Sequence, residues 1–396
     1  MKKSMVVLCG NYYPSPSPTG LCTKRYLELV SEEYDIDIIC LSQNGESGTV
    51  TEDGFNIHTL ADKHMCLEYK TKGNFKKFIH LVGAVQIKFS VLGNMKWFAK
   101  AALKKMVELE KSRKIDIVFT VCSPFASNIA GCNFKKNHPN TILCLYTVDP
   151  YSSKYRIRPF FCSLDKLIQK EKEVFSQADV LMLSEEVYNT RKELYSDCKN
   201  CTVLPYMLPM VKPQINTEGI FEKSVVNCVY AGRFYKDIRN PEYMLSVFSK
   251  ADKKIVLHLY SVGCEDIVDK CRSDNIIVHG IVSQEEIQKV YAAADILIGV
   301  GNASKDFLPS KTFEYIVNLK PVVYFNYADI SNEVLEKYPC ALQFSNTGDI
   351  TEAAEKLMLF CESSVNEVIN QQDISNIYFK NSKENIKSIL LGAFSL

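Results

Sequence analysis

At 396 residues the chain is longer than a typical single domain, so two domains are expected. Hydrophobic residues make up 46% and charged residues 23%, which fits a globular protein and excludes a disordered one. A net charge of +1 gives no overall field to draw nucleic acid, and no apolar run approaches the ~18 residues needed to span a bilayer.

The chain starts Met1-Lys2-Lys3-Ser4, followed by a five-residue apolar run at 5–9. That run is too short for a signal peptide and reads as a first strand. A Pro/Ser-rich loop follows, from Gly10 to Gly20. It lacks the Gly-x-Gly-x-x-Gly fingerprint of dinucleotide enzymes, which counts against a nicotinamide cofactor. Gly20 stands at the start of the next helix and leaves room there for a substrate.

Further apolar runs lie at 36–41, 115–121, 141–146, 180–183 and 201–204. They alternate with amphipathic stretches at 21–33, 125–134, 159–176 and 185–196. This alternation predicts βαβ units and a parallel sheet covered on both faces. Ser123-Pro124 and the stretch from Tyr146 to Tyr151 each follow a strand, so Ser123 and Asp149 are expected on the ligand-binding edge with Gly20. Taken alone, Asp149 reads as a turn residue.

Between Lys70 and Lys105 there are nine lysines and no acid, mixed with Phe75, Phe78, Phe89, Met95, Trp97 and Phe98. Two readings stand: a core helix pair with a solvated lysine face, or a cationic apolar surface that docks on an anionic bilayer. The 15 cysteines are scattered, mostly inside apolar runs, as reduced core thiols are. Cys198 and Cys201 form one Cys-x-x-Cys without a second pair, so a helix-to-strand connection is preferred to a metal or redox site. The six histidines form no ligand cluster in sequence, and Asp35-Ile36-Asp37 runs into a strand, so no metal site is expected.

Near 204–223 the alternation lapses among Pro205, Pro209, Pro213 and Gly219, which marks a linker. It restarts with runs at 227–231, 255–260, 276–279, 296–300, 322–325 and 341–344. The expected organisation is a domain over 1–205, a linker over 206–224 and a second domain over 225–379. A helical stretch over 380–396 is expected to return to the first domain.

Two loops of the second half carry candidate chemistry. Gly232 follows a strand and lets a ligand approach the backbone, while Arg233, Lys236 and Arg239 put three cations in one short loop suited to phosphate. The second runs from Asp306 to Pro321, where Asp306 lies in a loop and Glu314 in the helix expected to start at Pro309-Ser310 and end at Lys320-Pro321. Acids beside an anion-binding helix start suit a ligand with both phosphates and hydroxyls.

Together these pieces resemble the retaining GT-B glycosyltransferases, specifically family four of the nucleotide-sugar enzymes. The resemblance runs over most of the chain. It rests on Asn11-Tyr12-Tyr13-Pro14 with Gly20, on Ser123-Pro124-Phe125-Ala126-Ser127, and on Asp149-Pro150-Tyr151. It rests also on Ala178-Asp179, Ala294-Asp295 and Gly232-Arg233. The most specific match runs from Pro309 to Tyr315, with the family's E-x7-E as Asp306-x7-Glu314. The usual Gly-Gly pair is reduced to Thr19-Gly20, and Asp306 is one methylene shorter than the family's Glu.

The resemblance implies two doubly wound Rossmann-like domains facing an interdomain cleft, and a nucleotide diphosphate sugar as substrate with no cofactor or metal. Glu314 would hold the ribose, and Asp306 the donor sugar. The N–H groups of Phe307 and Leu308, with Ser310, would lie by the sugar and diphosphate. Arg233 and either Lys236 or Arg239 would neutralise the leaving diphosphate, and His279-Gly280 would lie by the base. Gly20, Ser123 and Asp149 would be on the acceptor side. The acceptor expected is a glycan or lipid-linked glycan in cell-surface polysaccharide synthesis, made by a cytoplasmic protein, peripheral on the inner face of the plasma membrane. A non-hydrolysing sugar-nucleotide epimerase and a catalytically inactive sugar-nucleotide or glycan binder are the alternatives.

Overall fold

A computed structural model describes residues 2–12, 17–62, 95–153, 162–198, 200–209, 216–303, 311–328 and 330–396. The chain divides into two compact units: Met1–Met207 with Lys380–Leu396, and Leu208–Phe379.

The first unit is built on an eight-stranded sheet. Its strands are β1 (Lys3–Leu8), β2 (Tyr34–Leu41), β3 (Gly48–Glu52), β4 (Phe55–Leu60), β5 (Ile117–Cys122), β6 (Ile142–Thr147), β7 (Val180–Leu183) and β8 (Cys201–Val203). Their spatial order is β3-β4-β2-β1-β5-β6-β7-β8. The near-continuous apolar runs follow from burial on both faces. Met5 and Val7 of β1 face a core shared with Leu390 and Phe394 of the C-terminal helix Lys383–Phe394. Val6 and Leu8 face the opposite core, with Phe98, Ala102 and Met106 of the helix Lys96–Ser112.

One edge departs from the expected all-parallel sheet. Strand β3 pairs antiparallel with β4 through the turn Asp53-Gly54, with φ of 52° and 81°. Two successive positive φ values make the mirror-image turn that matches strand twist, and Gly54 adopts its φ without steric cost.

The second unit holds β9 (Val226–Arg233), β10 (Ile255–Val262), β11 (Ile276–Val278), β12 (Ile296–Val300), β13 (Val322–Asn326) and β14 (Ala341–Ser345). The order β11-β10-β9-β12-β13-β14 is all parallel and reverses direction between β9 and β12. In the first unit the same reversal falls between β1 and β5. The crevice outside the carboxyl ends of the strands at such a switch point is where open α/β sheets bind ligands.

The two Ala-Asp pairs have a structural explanation. Asp179, entering β7, accepts from the Leu143 N–H of β6 at 2.7 Å and from Lys135. Asp295, entering β12, accepts from the Asn227 N–H of β9 at 2.7 Å. Each carboxylate satisfies a strand-end N–H that the ladder leaves over.

Candidate functional site

In the first unit the opening loop meets the loop after β5. A Cβ on Gly10 would stand 2.5 Å from Pro124 Cδ and 3.0 Å from the Ser123 carbonyl oxygen. Gly20 is buried in the helix Pro18–Val30, where a Cβ would stand 2.8 Å from the Asn11 carbonyl oxygen. Its lack of a side chain thus serves helix-to-loop packing. Ser123 is half-buried between β5 and the helix Phe125–Asn137. The loop after β6 carries Asp149, whose carbonyl oxygen accepts from Cys122 Sγ at 3.6 Å. The Tyr151 ring stacks on Phe125 at 5.0 Å and 9°. The structure therefore joins the Gly10, Ser123 and Asp149 loops at the carboxyl ends of β1, β5 and β6.

In the second unit Arg233 ends β9 and is exposed. The next residues fold back tightly, with Tyr235 N–H donating to Arg239 O at 3.1 Å and Arg239 N–H to Tyr235 O at 2.8 Å. Lys236 rides on the exposed tip of this turn. Arg239 is half-buried, and its Nε and Nη2 both donate to Asn302 Oδ1, at 3.1 and 2.9 Å. Asn302 follows β12, and the neighbouring Ala303 N–H donates to Ile238 O at 2.8 Å. Loops from the two strands at the switch point are thereby locked together.

Beside them the helix Lys311–Val317 presents Glu314, whose Oε2 lies 2.8 Å from Lys311 Nζ. The helix ends three residues before Lys320, earlier than expected. Leu319 takes a φ of 54°, which closes the helix before Pro321. Lys311 and Arg239 line one small cavity with Thr312, Tyr230, Tyr315 and Tyr324. Burial holds the Tyr230 and Tyr324 phenols up, Tyr324 to about 12, and the nearby Arg239 charge opposes it, so both rings stay neutral beneath the cations. Asp306, Phe307, Leu308, Pro309 and Ser310 lie outside the described residues.

His279 follows β11 and is exposed, its ring stacked on Tyr260 at 4.4 Å and 5°. The sequence pattern kept the histidines apart, but His279 Nε2 lies 3.0 Å from His258 Nδ1. His258 Nε2 lies 3.1 Å from Asn227 Oδ1. Gly280 comes next, with a φ of 78°.

Sequence reasoning missed Lys311, Asn302 and His258. The Lys311–Glu314 spacing of one helical turn was a usable signal. Nothing local to Asn302 announces its bond to Arg239, 63 residues away. Among the described residues no group of three or more His, Cys, Asp or Glu forms a metal site, and no helix is long and apolar enough to cross a membrane. Cys198 and Cys201 lie between the 3-10 helix Lys192–Tyr195 and β8, and partial burial raises both thiols. Of the lysine-rich segment, only the part from Met95 on is described. There Phe98 is buried in the core with Trp97 packed on it, while Lys96, Lys100 and Lys104 form an exposed stripe.

Solved structures match the chain over its whole length. Sucrose-phosphate synthase from Thermosynechococcus elongatus has a TM-score of 0.74 at 10% identity, covering 99% of this chain and 98% of that one. The E. coli trehalose-6-phosphate protein bound with UDP-2-fluoro glucose has 0.68 at 12%, covering 100% and 99%. Anabaena HepE in complex with UDP and glucose has 0.63 at 10%, covering 99% of each. The chain has the GT-B fold. No protein-family model and no curated protein matches its sequence. In GT-B terms, each unit is one Rossmann-like sheet with its candidate loops at the switch point.

Proposed function

We propose that this protein is a retaining, metal-independent glycosyltransferase that moves a sugar from a nucleotide diphosphate sugar to a glycan or lipid-linked acceptor. The observation that carries the reading is the cationic switch point of the second unit. Arg233 ends β9 exposed, and Arg239 is held beside it by Asn302. Lys311 and Glu314 stand on the adjoining helix. The nucleotide ligands of the E. coli and Anabaena proteins support the same reading.

The difficult step is departure of the diphosphate from the anomeric carbon. Negative charge grows on the bridging oxygen, and positive charge grows on the sugar. Arg233 meets the diphosphate, with Arg239 or Lys236 as the second cation. Fixed cations aimed at a developing oxyanion lower the barrier without reorganisation. They also take the place of a divalent ion, so EDTA leaves the rate unchanged. Glu314 accepts from the ribose hydroxyls, and Lys311 keeps its carboxylate oriented. Asp306 meets the donor sugar, and Phe307, Leu308 and Ser310 lie along the sugar and diphosphate. His279 and Gly280 lie by the base. Gly20, Ser123 and Asp149 belong to the acceptor side, and the acceptor hydroxyl attacks from the face the diphosphate leaves.

The test is incubation with a panel of nucleotide sugars, with and without lipid-linked and free glycan acceptors, following nucleotide release and product anomeric configuration by NMR. Transfer that requires acceptor, retains configuration and survives EDTA supports the reading. Conversion of the donor alone identifies an epimerase, and donor binding without either product identifies an inactive binder. Work at the inner face of the plasma membrane fits a lipid-linked acceptor, and the stripe of Lys96, Lys100 and Lys104 supports attraction to anionic headgroups. Flotation with anionic vesicles at low and high salt checks this, and salt-insensitive or absent binding removes the membrane from the account.

A further inference from the structure

The loop after β6 is held by a buried charge that the proposed reaction does not use. Glu171, on the helix Leu164–Phe175, is fully buried. Its Oε1 accepts from the Ser152 N–H at 3.1 Å, and its Oε2 accepts from the Ser152 hydroxyl and, at 3.4 Å, from the Tyr195 hydroxyl. The Ser152 oxygen accepts in turn from Arg191 Nη1 at 2.7 Å. One hydroxyl therefore accepts a hydrogen bond from a cation and donates one to a carboxylate, which fixes the direction of both bonds. Burial pushes the Glu171 carboxyl up, while the Ser152 bonds and the Arg191 charge pull it back.

Taking a carboxylate out of water costs several kcal/mol unless its partners compensate, and well-packed apolar side chains would hold helix and loop together without that cost. What the charge adds is geometry. Ser152 stands three residues after Asp149 and one after Tyr151, whose ring lies on Phe125. Phe125 opens the helix behind Ser123-Pro124. Fixing Ser152 thus fixes the Asp149 loop and, through Tyr151, its placement against the Ser123 loop.

We propose that Glu171, acting through Ser152 and Arg191, is the positioning residue of the acceptor side: it sets the Asp149 loop against the Ser123 loop and thereby the affinity for the acceptor hydroxyl compound. This rests on the reading that these two loops take the acceptor. Two variants of the full chain test it. Glu171→Gln keeps the size but brings an amide N–H2 to a hydroxyl that already accepts from Arg191. Ser152→Ala removes only the bridging hydroxyl and guards against a Gln variant that fails to fold.

In hydrogen exchange, both variants are expected to speed the amides of residues 148, 149 and 151–153 by about tenfold, with β5, β6 and the second unit keeping their protection. In transfer assays the acceptor KM is expected to rise about tenfold while the donor KM stays within about twofold. Unchanged exchange in residues 148–153 overturns the proposal. So does loss of protection throughout β5 and β6, or an equal rise in both KM values, because each marks a merely structural role. A wild-type chain that binds nucleoside diphosphate yet transfers to no acceptor defeats the transferase reading instead, and the exchange result then decides the positioning role alone.

Discussion

The two units share a parallel six-strand order, which the first extends with β3 and β8, but they furnish the carboxyl ends of its strands differently. In the first unit the loops at the switch point are tied to one another: Gly10 against Pro124, Asp149 O to Cys122, Tyr151 on Phe125, and Ser152 to a buried glutamate. In the second unit the corresponding loops are also joined, through Arg239 and Asn302, but they leave Arg233 and Lys236 in solvent. Among the described residues, one edge is a set of packed loops, and the other displays cations. The same backbone plan thus carries two different sets of side chains at its strand ends.

The sharpest way to break the comparison is Arg233→Ala. Arg233 is exposed at a strand end, so its removal should leave the thermal midpoint nearly unchanged, as surface substitutions do. Turnover should fall by on the order of 10²–10³, the usual loss when one oxyanion donor is removed. Near-normal transfer by a folded variant would take Arg233 out of the site. Glu314→Gln should act less strongly, because the amide still accepts one hydrogen bond but no longer holds Lys311 at 2.8 Å. Donor affinity, followed by titration calorimetry, should drop by about tenfold, the worth of a charged hydrogen bond. Unchanged donor affinity would assign Glu314 to the Lys311 ion pair alone.

On the first unit the expected response is reversed. Gly10→Ala puts a Cβ 2.5 Å from Pro124 Cδ, so the loops must separate. Overpacking of this kind costs about 1–3 kcal/mol, read as a lower denaturant midpoint. Nucleoside diphosphate binding to the second unit should be unaffected. A variant as stable as the wild type would show that the two loops do not bear on each other.

The sequence revealed the strands whose apolar runs are buried on both faces, because burial leaves a continuous signature. It hid β3, whose five residues are all exposed and polar enough to read as loop. The Asp53-Gly54 turn signal was present there, but the strand beside it lacked the expected alternation. Among the candidate residues, those at strand ends were legible because topology places them. Arg233 and Asp149 could be found by reading where a run stops. Their partners could not, since Asn302 meets Arg239, and Glu171 meets Ser152, only after the chain has folded. The early end of the helix at Val317 shows the same limit, because the left-handed turn at Leu319 leaves no mark in composition.

The smallest expected effect separates the units by pH. Asn227 Nδ2 donates to the Glu222 and Val225 carbonyls and to Asp295, so its Oδ1 faces the His258 Nε2–H. His258 Nδ1 must then accept from the His279 Nε2–H, which leaves it no site for a second proton. Burial, and then the neighbouring His279, push the His258 pKa down to about 4, whereas an unfolded histidine titrates near ~6.5. Between those values the unfolded chain binds a proton that the folded chain refuses, so stability falls as pH drops from ~6.5 to about 4. The buried Glu171 and the half-buried Glu186 of the first unit act with the opposite sign, since desolvation raises their carboxyls and the folded state then binds protons more readily. The two effects oppose each other in wild type, so the comparison must be made against His258→Gln. Urea midpoints of the second unit should fall less steeply on acidification in that variant, with no change in the first unit. Identical slopes for the two proteins would mean that His258 is protonated in the folded state, with its Nε2–H still donating to Asn227 Oδ1 and its Nδ1–H donating to His279 Nε2.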